Sequence, residues 1–206
     1  MKWIFLVSAA LLLAACSSES PSVNKTTDED IAACEKIIAD FQSELKAELV
    51  SAMSQGGPEN AIGVCNTKAA EIESTYNALD GIEIRRVSLR QRNARYVPDE
   101  FETIVLKTFE SMKSAEPKAH HELLSDNAGG QTFRYMKEIK AGKLCLNCHG
   151  DPQNFSDGLK AKLAELYPDD VATGYAEGDS RGAFSVILTL PAARNTIESL
   201  TMKSAE

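Results

Sequence analysis

No apolar run in this chain is long enough to span a bilayer; the longest, Trp3 to Leu13, is about half the length a spanning helix needs. The formal charge of −8 argues against nucleic acid as a partner, and suits a basic redox partner. There is no internal repeat, and no low-complexity tract beyond residues 17–30. With three histidines and five cysteines, metal chemistry has few places to sit. No second Cys/His pair at zinc-site spacing accompanies Cys145 and Cys148, which argues against structural zinc. No βαβ setting surrounds them, which argues against a thioredoxin-like site. The chain has no kinase, cyclase or methyl-accepting region, so any signal passes to a separate partner.

What is present is Cys145-Leu146-Asn147-Cys148-His149-Gly150. C-x-x-C-H is the attachment signature of a c-type haem. Two residues between the cysteines let both sulfurs reach one porphyrin edge. The next residue then lies under the iron. The motif predicts one covalent haem c, with Cys145 and Cys148 as thioethers and His149 as the proximal iron ligand.

The compartment agrees. Residues 1–15 read as a signal peptide, with Lys2 ahead of an apolar run. The run ends Leu13-Ala14-Ala15-Cys16, which resembles the lipobox of bacterial lipoproteins. The resemblance implies cleavage before Cys16 and its acylation. Several chains together hold a protein on a membrane firmly, each buried CH₂ adding ~0.8 kcal/mol. Ser17 after the cysteine implies outer-membrane sorting in a Gram-negative organism, with the domain on the periplasmic side. The alternative is an ordinary secretory signal and a free soluble protein. Haem attachment to C-x-x-C-H takes place outside the cytoplasm, where disulfides are also permitted. A Cys34–Cys65 disulfide is one way to account for the two remaining cysteines.

Residues 16–30 are polar and read as a lipidated tether. One domain is expected over 31–203. Apolar residues at helical spacing predict a helix from Ile31 to about Ser54, stopped by Gly56-Gly57. A second runs from Pro58 to Leu79 and carries Ile62, Cys65, Ala69 and Ile72 on one face. Ile82 to Leu89 alternates as a strand, with a parity change at Arg85-Arg86 that predicts a bulge or a strand end. Pro98-Asp99 opens a third helix whose inner side is expected to hold Phe101, Ile104, Val105, Phe109 and Met112. A short strand is expected near Glu122–Leu124, a half-wet strand over 132–140, a short helix from Gly158 to Leu166, and a central strand from Ala183 to Leu190. The order predicts an α+β fold, an antiparallel sheet with helices grouped on one side or end.

The second axial ligand is open on spacing alone. Candidates are His120, His121, Met53, Met112, Met136, Met202, Cys34 and Cys65. Methionine is the usual choice in an electron carrier. Met53 and Met112 also sit at core spacing, and the two adjacent histidines lie in a polar connection. For haem propionates the basic run from Arg85 to Arg95 offers guanidinium groups, with Arg86 and Arg90 the first choices; solvated surface charge is the other reading.

Three stretches carry a family resemblance. They are Ala61-Ile62-Gly63-Val64-Cys65-Asn66; Arg86 to Asn93 with Pro98-Asp99-Glu100-Phe101-Glu102; and Cys145 to Gly150 with Tyr167-Pro168-Asp169-Asp170, Gly174-Tyr175, Gly178-Asp179 and Arg181-Gly182-Ala183. Together they resemble the bacterial family of PAS-like c-type haem domains, over nearly all of residues 31–200. The resemblance implies a PAS-like antiparallel sheet with flanking and N-terminal helices, and Cys/His axial ligation, with His149 and Cys65 at the matching positions. The family pattern reads Arg-Asn-Pro where Ala94-Arg95 follow Asn93 here, which puts that turn's geometry in doubt and touches no ligand.

A thiolate ligand stabilises ferric iron and lowers the potential. The expected function is therefore a membrane-anchored periplasmic haem protein: a sensor of redox state or a small gas, or a low-potential electron carrier. The alternative is a conventional electron-transfer cytochrome c with Met or His as sixth ligand. An enzymatic reading, such as a peroxidase, is weak, because no distal His/Arg pair is evident.

Overall fold

The computed structural model describes residues 23–112 and 114–203. The leader, Cys16 and the first part of the tether lie outside them. Helix α1, Val23–Asn66, opens the described chain and leaves helical geometry at Gly56 and Gly57. Gly57 has φ +63, where glycine carries no Cβ penalty, and Pro58 restarts the helix one residue later. Residues 23–30, expected in the tether, are helical instead. Asp30 is buried and takes both nitrogens of the Arg194 fork, at 2.9 and 2.6 Å. Helix α2, Lys68–Asn77, continues the second predicted helix after an interruption at Thr67.

Strand β1 (Ile82–Val87) leads through a short 3-10 turn (Ala94–Tyr96) to α3 (Glu100–Ser111). Asp99 caps α3: its carboxylate accepts from the Glu102 backbone N–H at 2.8 Å, and Glu102 accepts back from the Asp99 N–H at 2.9 Å. This is a capping box, which satisfies two otherwise orphaned donors. Strands β2 (Ala119–Ser125) and β3 (Gln131–Lys140) form a hairpin. The chain then passes through α4 (Leu146–His149), a second 3-10 turn, α5 (Asp157–Leu166), β4 (Ser180–Leu190) and α6 (Ala192–Lys203). The sheet is antiparallel in the order β1-β4-β3-β2. The fold is thus α+β and PAS-like, with β4, the most apolar strand, in the interior of the sheet.

Each face of the sheet has its own core. On one face Ile82, Ile84, Phe133, Tyr135, Phe184, Val186 and Leu188 pack against Cys34, Ile38 and Phe41 of α1 and Ile72 of α2. On the other, Val87, Met136 and Ala183 pack against Val105, Leu106 and Phe109 of α3. This explains the parity change in β1. The β1–β4 register is unbroken from Ile82↔Leu188 to Val87↔Ala183, so there is no bulge at Arg85-Arg86. Alternation simply puts Arg86 on the face of Ile82 and Ile84, and Arg85 and Val87 on the α3 face. Arg85 there pairs with the fully buried Glu102. The register shift of the sheet falls instead between Ile139 and Lys140.

Two expectations for α3 and β2 are corrected. Ile104 and Met112 are 60% and 54% exposed, because the buried stripe runs through Val105, Leu106 and Phe109. His120 and His121 stand on β2, the edge strand farthest from β1, and not in a loop. His121 stacks on Phe133 with centroids 5.6 Å apart, and His120 Nε2 lies 3.0 Å from Glu122.

Candidate functional site

The C-x-x-C-H segment is one helical turn wedged between two apolar clusters. Cys148 packs against Ile62, Phe155, Leu159, Leu163 and Tyr167, and Leu146 against Ala141, Ala172 and Tyr175. Gly150 follows because nothing larger fits: a Cβ there would stand 2.6 Å from the Leu146 carbonyl oxygen. Ile62 lies one turn before Cys65 on α1. The cluster that holds Ile62 also takes in Cys148, and Cys65 is close enough to act on the Cys148 thiol. Burial pushes the Cys148 thiol up to about 11, and the neighbouring Cys65 and Cys145 add to the rise against the pull of Arg92.

His149 is oriented by the segment that returns past it. Its Nδ1 lies 2.6 Å from the Ala172 carbonyl oxygen. A carbonyl only accepts, so Nδ1 carries the proton, and the Nε2 lone pair is left free to bind a metal. Arg181 Nε, 3.3 Å from the same Nδ1, is then a neighbouring charge and not a hydrogen-bond donor. Burial holds the imidazole well below its ordinary pKa, and the charges of Arg181 and Arg92 push it lower still. It is neutral at physiological pH, the form in which histidine is a ligand. The Tyr175 ring meets His149 edge-on at 6.3 Å.

Arg92 ties these pieces together. Its Nε donates to Asp170 at 2.9 Å, and Nη2 donates to the Cys148 carbonyl at 2.5 Å with a longer contact to Ala172 at 3.4 Å. Asp170 in turn accepts from the Ala172 N–H at 2.8 Å. One guanidinium thus fixes both the motif and the carbonyl that orients His149.

A cleft, open on one side, lies between β1, β4, the end of α1 and this assembly. Cys65 and His149 both line it, with Arg86, Arg92, Arg181, Tyr96 and Tyr167. Arg86 Nε and Arg92 Nη1 are buried with no hydrogen-bond partner. Gly182 keeps the cleft's β4 wall close to β1: it has φ +155, and a Cβ would stand 2.4 Å from the Val87 carbonyl oxygen.

Of the eight residues that spacing left open as partners of His149, only Cys65 is in this cleft. Cys34 is fully buried in the main core and Met136 in the α3 core. Met112 and Met202 are exposed, and Met53 lies on α1 away from the cleft. No disulfide joins Cys34 to Cys65; the four described cysteines are all free. Arg90 stands apart. It belongs to a loop, not a strand, donates to the Thr173 carbonyl at 3.1 Å, and stacks on Tyr175 at 3.6 Å, outside the cleft. Arg181 stands in the cleft instead. Sequence reasoning quoted Arg181 only within the family resemblance, and no local pattern marks it as a cleft residue. Among the described residues there is no cluster of three His, Cys, Asp or Glu of the kind a bare metal ion needs.

The sequence profile of the Tll0287-like family matches residues 14–189, and the chain belongs to that family. Among solved structures, the crystal structure of the cyanobacterial haem protein Tll0287 is similar, with a TM-score of 0.57 and 20% identity over 80% of this chain and 97% of that one. At that identity the likeness concerns the fold. No curated protein matches.

Proposed function

We propose that this chain is an exported, membrane-anchored protein with one covalent haem c, its iron held between His149 and Cys65, that senses redox state or a small gas or carries single electrons at low potential. The observation that carries this reading is that Cys65 and His149 line one cleft while the other candidate ligands lie elsewhere. The family relationship to a haem protein supports the cofactor. So does the chemistry of the cleft. Buried guanidinium nitrogens of Arg86 and Arg92 lack acceptors, and the two propionates of a haem would supply carboxylates to them and to Arg181.

A bound haem supplies a one-electron ferric/ferrous couple. The chain supplies the rest. Cys145 and Cys148 hold the macrocycle edge, and the Ala172 carbonyl fixes the His149 tautomer with Nε2 free. Cys65 as thiolate favours the ferric state and lowers the potential. Protonated, it is a poor donor, and that difference suits a sensor that opens one side of its metal. Acylated Cys16 would place the domain on the periplasmic side of an outer membrane. There it would meet a redox partner or signalling protein. No described helix is long and apolar enough to cross a membrane.

The test is expression of the full chain with the cytochrome c maturation genes. Haem retained by the polypeptide after denaturation, and lost in Cys145→Ala with Cys148→Ala, is the expected result. A polypeptide that releases all its haem on denaturation contradicts covalent attachment. Cys16→Ala is expected to move the protein from the membrane to the soluble fraction.

A further inference from the structure

A second titratable group stands behind the cleft wall. Glu73 on α2 is 8% exposed, and its Oε2 is buried without a hydrogen-bond partner. The ionisable groups that act on it are Tyr96 and Arg95 from the 3-10 turn and Arg86 from β1, with Arg85 acting across the strand from the opposite face of the sheet. The Tyr96 phenol stands near enough to favour the ionised carboxylate. The Arg86 guanidinium lies 5.6 Å from the centre of the Tyr96 ring. Both Tyr96 and Arg86 also line the cleft, so the two groups between Glu73 and the cleft belong to each. A charged carboxylate with an orphaned oxygen is costly to bury, and a proton on it relieves that cost. Burial raises the Glu73 carboxyl above its ordinary value, against the pull of Tyr96 and the three arginines.

We propose that Glu73 is a redox-linked proton site of this protein. When a one-electron donor protein delivers an electron to the haem, a Glu73 carboxylate oxygen binds one proton from solvent, and it releases that proton when the electron leaves. The inference rests on the haem reading above. One negative charge and one positive charge enter together, so the net charge of the buried region is unchanged. The coupling is electrostatic: an added electron offsets the field of Arg86, which otherwise favours an ionised Glu73. Tyr96 tunes the site, because its phenol favours the ionised carboxylate.

The experiment is spectroelectrochemical titration of the full-length holoprotein from pH 5 to pH 9, with the electrode as electron source. Over the window in which Glu73 is ionised when oxidised and protonated when reduced, each tenfold fall in proton concentration is expected to lower the reduction equilibrium tenfold. That is about 59 mV per pH unit. Glu73→Gln is expected to remove this slope. Tyr96→Phe is expected to keep it and move it to higher pH. A slope unchanged in Glu73→Gln overturns the proposal and assigns the proton to a propionate or to Cys65. Reduced-minus-oxidised infrared spectra give a second reading on the unaltered protein. The absence of a protonated-carboxyl band gained on reduction overturns the proposal even if Glu73→Gln does not fold. A protein that carries no covalent haem overturns the functional reading itself. A thiolate-ligated holoprotein with an unchanged slope overturns only this inference.

Discussion

Breaking the Arg92–Asp170 pair tests how the site is held. Arg92 Nε and Asp170 Oδ2 are 2.9 Å apart, and the two side chains are only 7% and 10% exposed. Truncating one member of a buried ion pair leaves the other charge without compensation, at a cost of ~3–5 kcal/mol. Each residue has further partners. Arg92→Ala also frees the Cys148 carbonyl, and Asp170→Ala frees the Ala172 N–H. Either substitution is therefore expected to lower holoprotein stability by ~3–5 kcal/mol. At about 2–4 °C per kcal/mol for a chain of this size, Tm falls by roughly 6–20 °C. The double variant removes both charges at once, so its loss is expected to fall short of the sum by ~2–3 kcal/mol. Urea unfolding of the four proteins of the cycle measures this. Single losses below ~1 kcal/mol, or strict additivity, would refute the reasoning that this pair is buried and coupled.

Further outcomes follow from the same geometry. Burial drives the Cys34 thiol far above its ordinary value of 9.0, with Asp30 and Glu35 adding to the rise. A raised folded pKa gives stability that is complete below the unfolded value and lost as pH climbs toward the folded one. Stability is thus expected to fall above about pH 9 by ~1.4 kcal/mol per unit from this group, with a shallower fall in Cys34→Ala as the check. Asp99→Ala removes the capping box and the 2.6 Å ion pair to Arg134, and is expected to cost ~1–2 kcal/mol by urea unfolding. Arg86→Ala and Arg181→Ala each remove a cation from the cleft and are expected to lower the midpoint potential on the order of tens of millivolts. Arg90→Ala is expected to change it far less, because Arg90 lies outside the cleft.

Periodicity carried much of the fold. The β-branched run at Ala183–Leu190 forms most of β4, an interior strand of the sheet, and the capped helix after Asp99 is where Pro98-Asp99 placed it. The parity change at Arg85-Arg86 was visible, but its cause was not. It reflects which face α3 covers, a long-range fact that a strand's own sequence does not contain. The histidines on β2 were hidden for a related reason: an edge strand wet on its outer side has no apolar alternation to read. In the site, the C-x-x-C-H spacing is local and therefore legible. Cys65 came from family resemblance; on helical spacing alone it was an ordinary core cysteine. Arg90 looked equivalent to Arg86 in sequence, yet one stacks on Tyr175 and the other lines the cleft. The Ala172 carbonyl that orients His149 has no sequence signal, since any residue would supply it.

The most direct test of iron held between Cys65 and His149 is low-temperature EPR of the ferric holoprotein. The account predicts a low-spin signal with the narrow g-spread of a thiolate ligand, lost in Cys65→Ser and retained in Cys34→Ser. A wide g-spread, as for bis-His or His/Met iron, or a narrow one that survives Cys65→Ser, would contradict it.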